Sequence, residues 1–148
     1  MTSRIPKTAE EPMHVQEMIA THPEAGERPN DLLLQCIEHC YACAQACTAC
    51  ADACLAEERV AELRQCIRLN LDCADLCAAA GRMTTRHTGG NLQLVAETLN
   101  ACALACRLCG DECARHAEKM EHCRVCADAC NRCEEACSAA IRAIRNLR

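Results

Sequence analysis

Eighteen of the 148 residues are cysteine, and they recur at a helical rhythm. In CIEHCYACAQACTACADAC, residues 36–54, six thiols stand at intervals of four, three, four, three and four. Such alternation averages about 3.5 residues, the repeat of the a and d positions on a helix that faces the centre of a bundle. The seam Cys36, Cys40, Cys43, Cys47, Cys50 and Cys54 is followed by Cys66, Cys73 and Cys77, with Leu69 or Asn70 filling the gap. A third comprises Cys102, Cys106, Cys109 and Cys113, and a fourth Cys123, Cys126, Cys130, Cys133 and Cys137. Thiolates are soft ligands, so the chemistry such files can do is to hold Cu(I), Zn(II) or an iron–sulfur cluster.

The elements that must position these thiols are four long helices of similar length. The first is expected from about Asp31, capped by Asn30 or Asp31, to about Ala56, and the second from near Glu58, fading over residues 81–87. TGGN at residues 88–91 is the clearest break, and Asn91 can cap a third helix reaching about His116; the fourth runs from about Glu118 to Asn146. Short connections between equal helices predict an all-α, antiparallel up-down-up-down bundle occupying residues 30–148. Residues 1–29, punctuated by Pro6, Pro12, Pro23 and Pro29, are expected to add a short amphipathic helix on which Val15, Met18, Ile19 and His22 share a face. Beyond the cysteines the seams turn apolar, through Leu33, Leu92, Val95, Leu99, Ile141 and Ile144, which meet at one end as a plug. Cys54, Cys113, His116, Met120, His122 and Cys123 mark the opposite end, the expected mouth.

Composition narrows the function classes. There is no Phe or Trp and a single Tyr41, so the side chains that usually dominate buried area are absent. The formal charge of -5 carries no basic patch, which argues against nucleic acid as a partner. No run approaches the eighteen or so apolar residues of a membrane span. The opening MTSRIPKTAEEPMHVQEM has no apolar leader core and no twin-arginine pair, so the protein is expected in the cytoplasm. Thiols there are kept reduced, and ones that persist as thiolates are metal ligands or redox groups.

Cysteine can pack as a small hydrophobe. Yet each exchange of a Leu or Ile for a smaller core side chain costs about 1 kcal/mol or more, against a total stability of about 5–15 kcal/mol. A core of bare thiols is therefore poor unless something else fills it. Disulfides between residues three or four apart close very small loops and restrain the unfolded chain little. Among metals, the bacterial ferredoxin run of cysteines is absent, and zinc asks for closed tetrahedral sets that an evenly spaced file does not supply. Burying many uncompensated thiolates is prohibitive, and one monovalent ion per thiolate neutralises them. Multiple Cu(I) ions approaching one per cysteine are thus expected, where four-coordinate zinc would stop at about four or five. The alternative is a zinc, iron–sulfur or thiol-redox protein; a redox enzyme would show one or two exposed cysteines of low pKa.

CYACAQACTACADAC, CALACRLCGDEC and CRVCADACNRCEEAC, with their repeated C-x2-C and C-x3-C seams, resemble the bacterial copper storage proteins, cysteine-lined four-helix bundles, over about residues 31–146. The resemblance implies Cu(I) storage or sequestration without catalysis, a homotetramer and, without an export signal, the cytosolic branch; a copper chaperone or chelator is a further candidate partner. The second long helix departs from the pattern with only three cysteines. Beside all eighteen thiols, His116 and Met120 are candidate metal ligands at the mouth, because imidazole and thioether also bind copper. His122 lies beside the seam and is ranked below them. His39 is placed at a helix boundary, and Met83 and His87 at the plugged end in structural roles.

Overall fold

Asn30 starts the bundle: its side-chain oxygen accepts from the backbone N–H groups of Leu32 and Leu33 at 2.9 and 3.3 Å. From it runs α2, Asp31–Leu55, in a computed structural model that describes residues 13–24 and 30–147. It is preceded by a short helix, α1, Val15–Ala20. Asn91 does the same for α4, Leu92–His116, accepting from the Leu94 N–H at 3.0 Å. Between them lies α3, Arg64–Thr85, and α5 is Glu121–Asn146. The expectations for Pro6, Pro12 and Pro29 fall outside the described residues.

Two helix starts differ from the sequence expectation. The second long helix begins at Arg64, not near Glu58, because a tight 3-10 turn over Val60–Leu63 precedes it. No Ser, Thr, Asn or Asp stands there to cap an α-helix, and the tighter turn instead carries Leu63 to 2% exposure against the core. The fourth begins at Glu121, not Glu118, because the chain closes a turn in which the Met120 N–H donates to His116 O at 3.0 Å.

Each long helix packs on the next around a ring, α2 on α3, α3 on α4, α4 on α5 and α5 on α2. Sulfur contacts fix the directions. Cys36 meets Cys137, Cys43 meets Cys130 and Cys50 meets Cys123, so α2 and α5 are antiparallel. Cys66 meets Cys113 and Cys77 meets Cys102, so α3 and α4 are too. This is the up-down-up-down bundle the seams predicted.

The plugged end holds Leu99, Ile141 and Ile144 buried, with Leu33 and Val95 half-buried against them. Leu92 does not join them: as the first residue of α4 it is exposed. On α1, Ile19 alone is buried, while Met18, placed on the same face by the sequence pattern, points to solvent. Six residues are too few turns to turn a wide stripe inward. By length and composition α4 is apolar enough to cross a bilayer, which the residue pattern did not anticipate. Its apolar character includes the cysteines it buries inside the bundle, Cys102, Cys106, Cys109 and Cys113.

Small side chains let the helices close on the file. A Cβ at Gly110 would lie 3.0 Å from Asn131 Oδ1 and 3.3 Å from Cys130 Cβ, so glycine allows α4 to approach α5 beside Cys109. At Gly81 a Cβ would meet the Tyr41 ring at 3.2 Å, and the sole aromatic residue packs there. Gly110→Val should lower the stability of the reduced, metal-free protein by about 1–3 kcal/mol in denaturant unfolding; an unchanged midpoint would mean α4 and α5 do not need this approach.

Candidate metal centre

Every cysteine is buried, none more than 2% exposed, and all eighteen are free thiols. The seams place them as follows. Along one helix, thiols four apart touch, as in Cys43 and Cys47 at 3.7 Å or Cys73 and Cys77 at 3.8 Å. Across helices, Cys47 and Cys130 lie 3.6 Å apart, Cys77 and Cys102 3.6 Å, and Cys66 and Cys113 3.7 Å. Diagonal contacts complete the file: Cys47 to Cys109 at 4.0 Å and Cys77 to Cys133 at 3.9 Å.

The sequence pattern led us to expect no discrete four-ligand sets, and the structure corrects this. Cys40, Cys102, Cys133 and Cys137 gather their sulfurs within 4.8 Å, as do Cys43, Cys47, Cys73 and Cys130. So do Cys43, Cys77, Cys106 and Cys133, and Cys47, Cys109, Cys126 and Cys130. A file read along one helix hides the partners that three other helices bring to the same level. These sets overlap: Cys43, Cys47, Cys130 and Cys133 each belong to two of them. Separate tetrahedral ions cannot fill them all without sharing sulfurs.

Asn70 is the polar group inside the file, with no exposure. Its Oδ1 accepts from Cys126 and Cys109 at 3.0 and 3.1 Å, and its Nδ2 donates to Cys66 Sγ at 3.5 Å. Of the two residues proposed to fill the gap on α3, Asn70 is the one on the axis, and it answers the amide's donors and acceptors with thiols.

The mouth differs most from expectation. His122, ranked low because it lies beside the seam, brings Nδ1 to 3.4 Å from Cys50 Sγ and 3.6 Å from Cys123 Sγ. Its Nε2 lies 3.0 Å from Glu57 Oε1. His122 is the second residue of α5, where side chains lean back toward the helix N-terminus and over the preceding turn. That lean, with a carboxylate in the facing connection, was the available signal. His116, ranked higher, turns instead to Glu112 Oε1 at 3.3 Å. His116 and Met120 line a cavity of about 430 Å³ with Glu57, Glu62 and Leu63, above the thiols.

Met83 and His87 lie away from the sulfurs. His87 stacks at a tilt on His22, ring centroids 5.5 Å apart, and Met83 Sδ accepts from Thr98 Oγ1 at 3.6 Å, both beside the plug. His39 is half-buried next to Cys40.

Close packing divides the thiols by their hydrogen bonds. Hydrogen bonding with Cys137 and Cys40 holds Cys36 down to about 5, and that with Cys106 holds Cys73 down to about 7. Neighbours push others up, Cys109 acting on Cys47 and Cys102 on Cys77. Burial raises Cys54 to about 11. For His122 burial disfavours the cation, but Cys50 and Glu57 together outweigh it and the pKa is raised. Only some of the thiols can ionise together, so filling the file with metal must displace protons.

Residues 30–142 match the family model of the copper storage protein. A Bacillus subtilis (strain 168) relative, uncharacterized cysteine-rich protein YhjQ, is 39% identical over 102 residues, 69% of this chain and 89% of that protein. The copper storage protein Ccsp from Streptomyces lividans, solved loaded with 10 copper equivalents, aligns with a TM-score of 0.83 at 50% identity, over 86% of this chain and 98% of its own. A cytosolic copper storage protein from Streptomyces lividans, with five coppers, gives a TM-score of 0.74 at 54% identity, over 76% of this chain and 93% of its own.

With every sulfur buried, a bulky aromatic disulfide reagent should modify the reduced native protein slowly and all eighteen thiols promptly once denaturant is added. Prompt reaction without denaturant would show that solvent already reaches the file.

Proposed function

The chain belongs to the copper storage protein family, and on that premise we propose that it stores Cu(I) in the cytoplasm, each bundle holding ions approaching one per cysteine. The overlap of the four-sulfur sets carries this reading. Ions that accept two or three thiolates and share bridging sulfurs can occupy such a file continuously, whereas separate four-coordinate ions cannot. Charge supports the same choice, because one monovalent ion per thiolate leaves the buried file neutral.

The ligands are all eighteen cysteines, Cys36, Cys40, Cys43, Cys47, Cys50, Cys54, Cys66, Cys73, Cys77, Cys102, Cys106, Cys109, Cys113, Cys123, Cys126, Cys130, Cys133 and Cys137. His116 and Met120 receive copper in the cavity above them, and His122, whose Nδ1 already faces two sulfurs, passes it inward. Residues 30–148 are the storing unit, and 1–29 an appendage to it. The protein catalyses no reaction: copper moves by ligand exchange from thiolate to thiolate, each arrival releasing a thiol proton, and a copper chaperone or small chelator is the donor or acceptor outside.

Tetrameric assembly is carried over from the resemblance to the family, and Leu71, Leu104 and Leu108, exposed on α3 and α4, offer apolar side chains for contact between copies. Sedimentation of the purified chain should give four copies, and Leu104→Glu with Leu108→Glu should shift it to smaller species; a monomer for the parent chain would remove the tetramer.

Anaerobic titration of the reduced, metal-free protein with Cu(I) against a chromogenic chelator should break near eighteen ions per chain, with about one proton released per ion. Cys36→Ser, Cys77→Ser and Cys137→Ser, at the far end, should each lower the capacity by a step and keep the helical circular dichroism. Saturation at one to five ions, or loss of the bundle in each of these variants, would overturn storage in a preformed file.

A further inference from the structure

We infer that Cys50, Cys54, Cys123 and His122, at the mouth of the bundle, form a zinc site, separate in ligand type and in charge from the sulfur file beneath it. The inference does not depend on copper storage.

The four ligand atoms lie within 4.8 Å of one another, and none of these residues belongs to the four overlapping all-sulfur sets described above. A tetrahedral zinc ion, with Zn–S of about 2.3 Å and Zn–N of about 2.0–2.1 Å, sets sulfurs about 3.8 Å apart and sulfur to nitrogen about 3.5 Å. Cys50 Sγ and Cys123 Sγ are 3.9 Å apart, and His122 Nδ1 stands 3.4 and 3.6 Å from them. Cys54 Sγ, the fourth ligand atom, lies within 4.8 Å of the other three.

Spacing alone does not single the mouth out, since sulfurs below it are similarly close. The histidine does. Glu57 Oε1 lies 3.0 Å from Nε2, so a neutral His122 that donates its Nε2–H to Glu57 turns the Nδ1 lone pair toward Cys50 and Cys123. A carboxylate holding the outer nitrogen of an imidazole while the inner one faces a metal is the usual support of a zinc-bound histidine. Glu57 sits in the connection between α2 and the 3-10 turn, outside the file.

Charge points the same way. Three thiolates and a neutral imidazole around Zn(II) leave one negative charge; four thiolates leave two. At the mouth the His122 and Glu57 side chains are 27% and 39% exposed, so water screens the residue of charge. Deep in the bundle the all-sulfur sets have no such relief, and their second charge would be buried unpaired. Zinc is thus favoured at the mouth and disfavoured beneath it, and an ion held there stands across the file's entrance, so copper enters a zinc-bearing chain by exchange.

Co(II), whose tetrahedral thiolate complexes absorb in the visible, reports on this site in the reduced, copper-free full chain. A first tight phase of about one Co(II) per chain with tetrahedral bands, bleached by one Zn(II), is expected. Glu57→Ala, which removes no ligand, should weaken that phase about 10–100-fold. His122→Ala and Cys54→Ser should abolish its spectrum, while His87→Ala, at the other end, leaves it intact. Absence of tetrahedral bands, or bands that survive in both His122→Ala and Cys54→Ser, would overturn the site. Cu(I) capacity measured on the same preparation bears only on storage.

Discussion

A thiol reaches one atom beyond Cβ, and a continuous file of sulfurs exists only if four helices approach closely enough for those short side chains to meet on the axis. Much of the architecture answers to that reach. Gly110 lets α4 settle on α5, Gly81 leaves room for the Tyr41 ring, and the interior contains neither Phe nor Trp to hold the helices apart. Leu99, Ile141 and Ile144 gather as a plug at one end, and the buried Leu63 packs at the other.

The same closeness decides the chemistry. Sulfurs 3.6–4.0 Å apart along and across the helices make sets that share members, as at Cys43 and Cys133. A metal entering one set inevitably touches the next. Asn70 occupies the axis where a cysteine would have continued the α3 seam, and it returns the missing ligand as an acceptor for Cys109 and Cys126. At the mouth the file gives way to a mixed site of nitrogen and sulfur, with a carboxylate behind the nitrogen. Interior and entrance therefore present different ligand fields to an arriving ion.

Much of this was legible in the residues. The 3.5-residue seams gave the four helices, their inward faces and every thiol, and the caps Asn30 and Asn91 gave two helix starts, because short-range rules govern those features. What escaped was set between helices. His122 lies off the seam, and only the lean of a side chain in the first turn of α5, toward a glutamate 65 positions earlier, brings it to Cys50. His116 lies on the seam and yet binds Glu112, a local carboxylate four residues back. The start of α3 was missed because Val60–Leu63 forms a tight uncapped turn, and the four-ligand sets were missed because one helix does not reveal the level of its neighbours.

The lack of large side chains in the core has a consequence for the lifetime of the protein. Anything that binds the folded state and not the unfolded one adds to stability in proportion to the logarithm of its free concentration over its dissociation constant. A bundle whose interior is completed by what it carries is softest when empty and most resistant to opening when full. Proteases that act on transiently opened chains would then remove empty bundles first and spare laden ones, so the population of containers would follow the supply of cargo without any separate sensor.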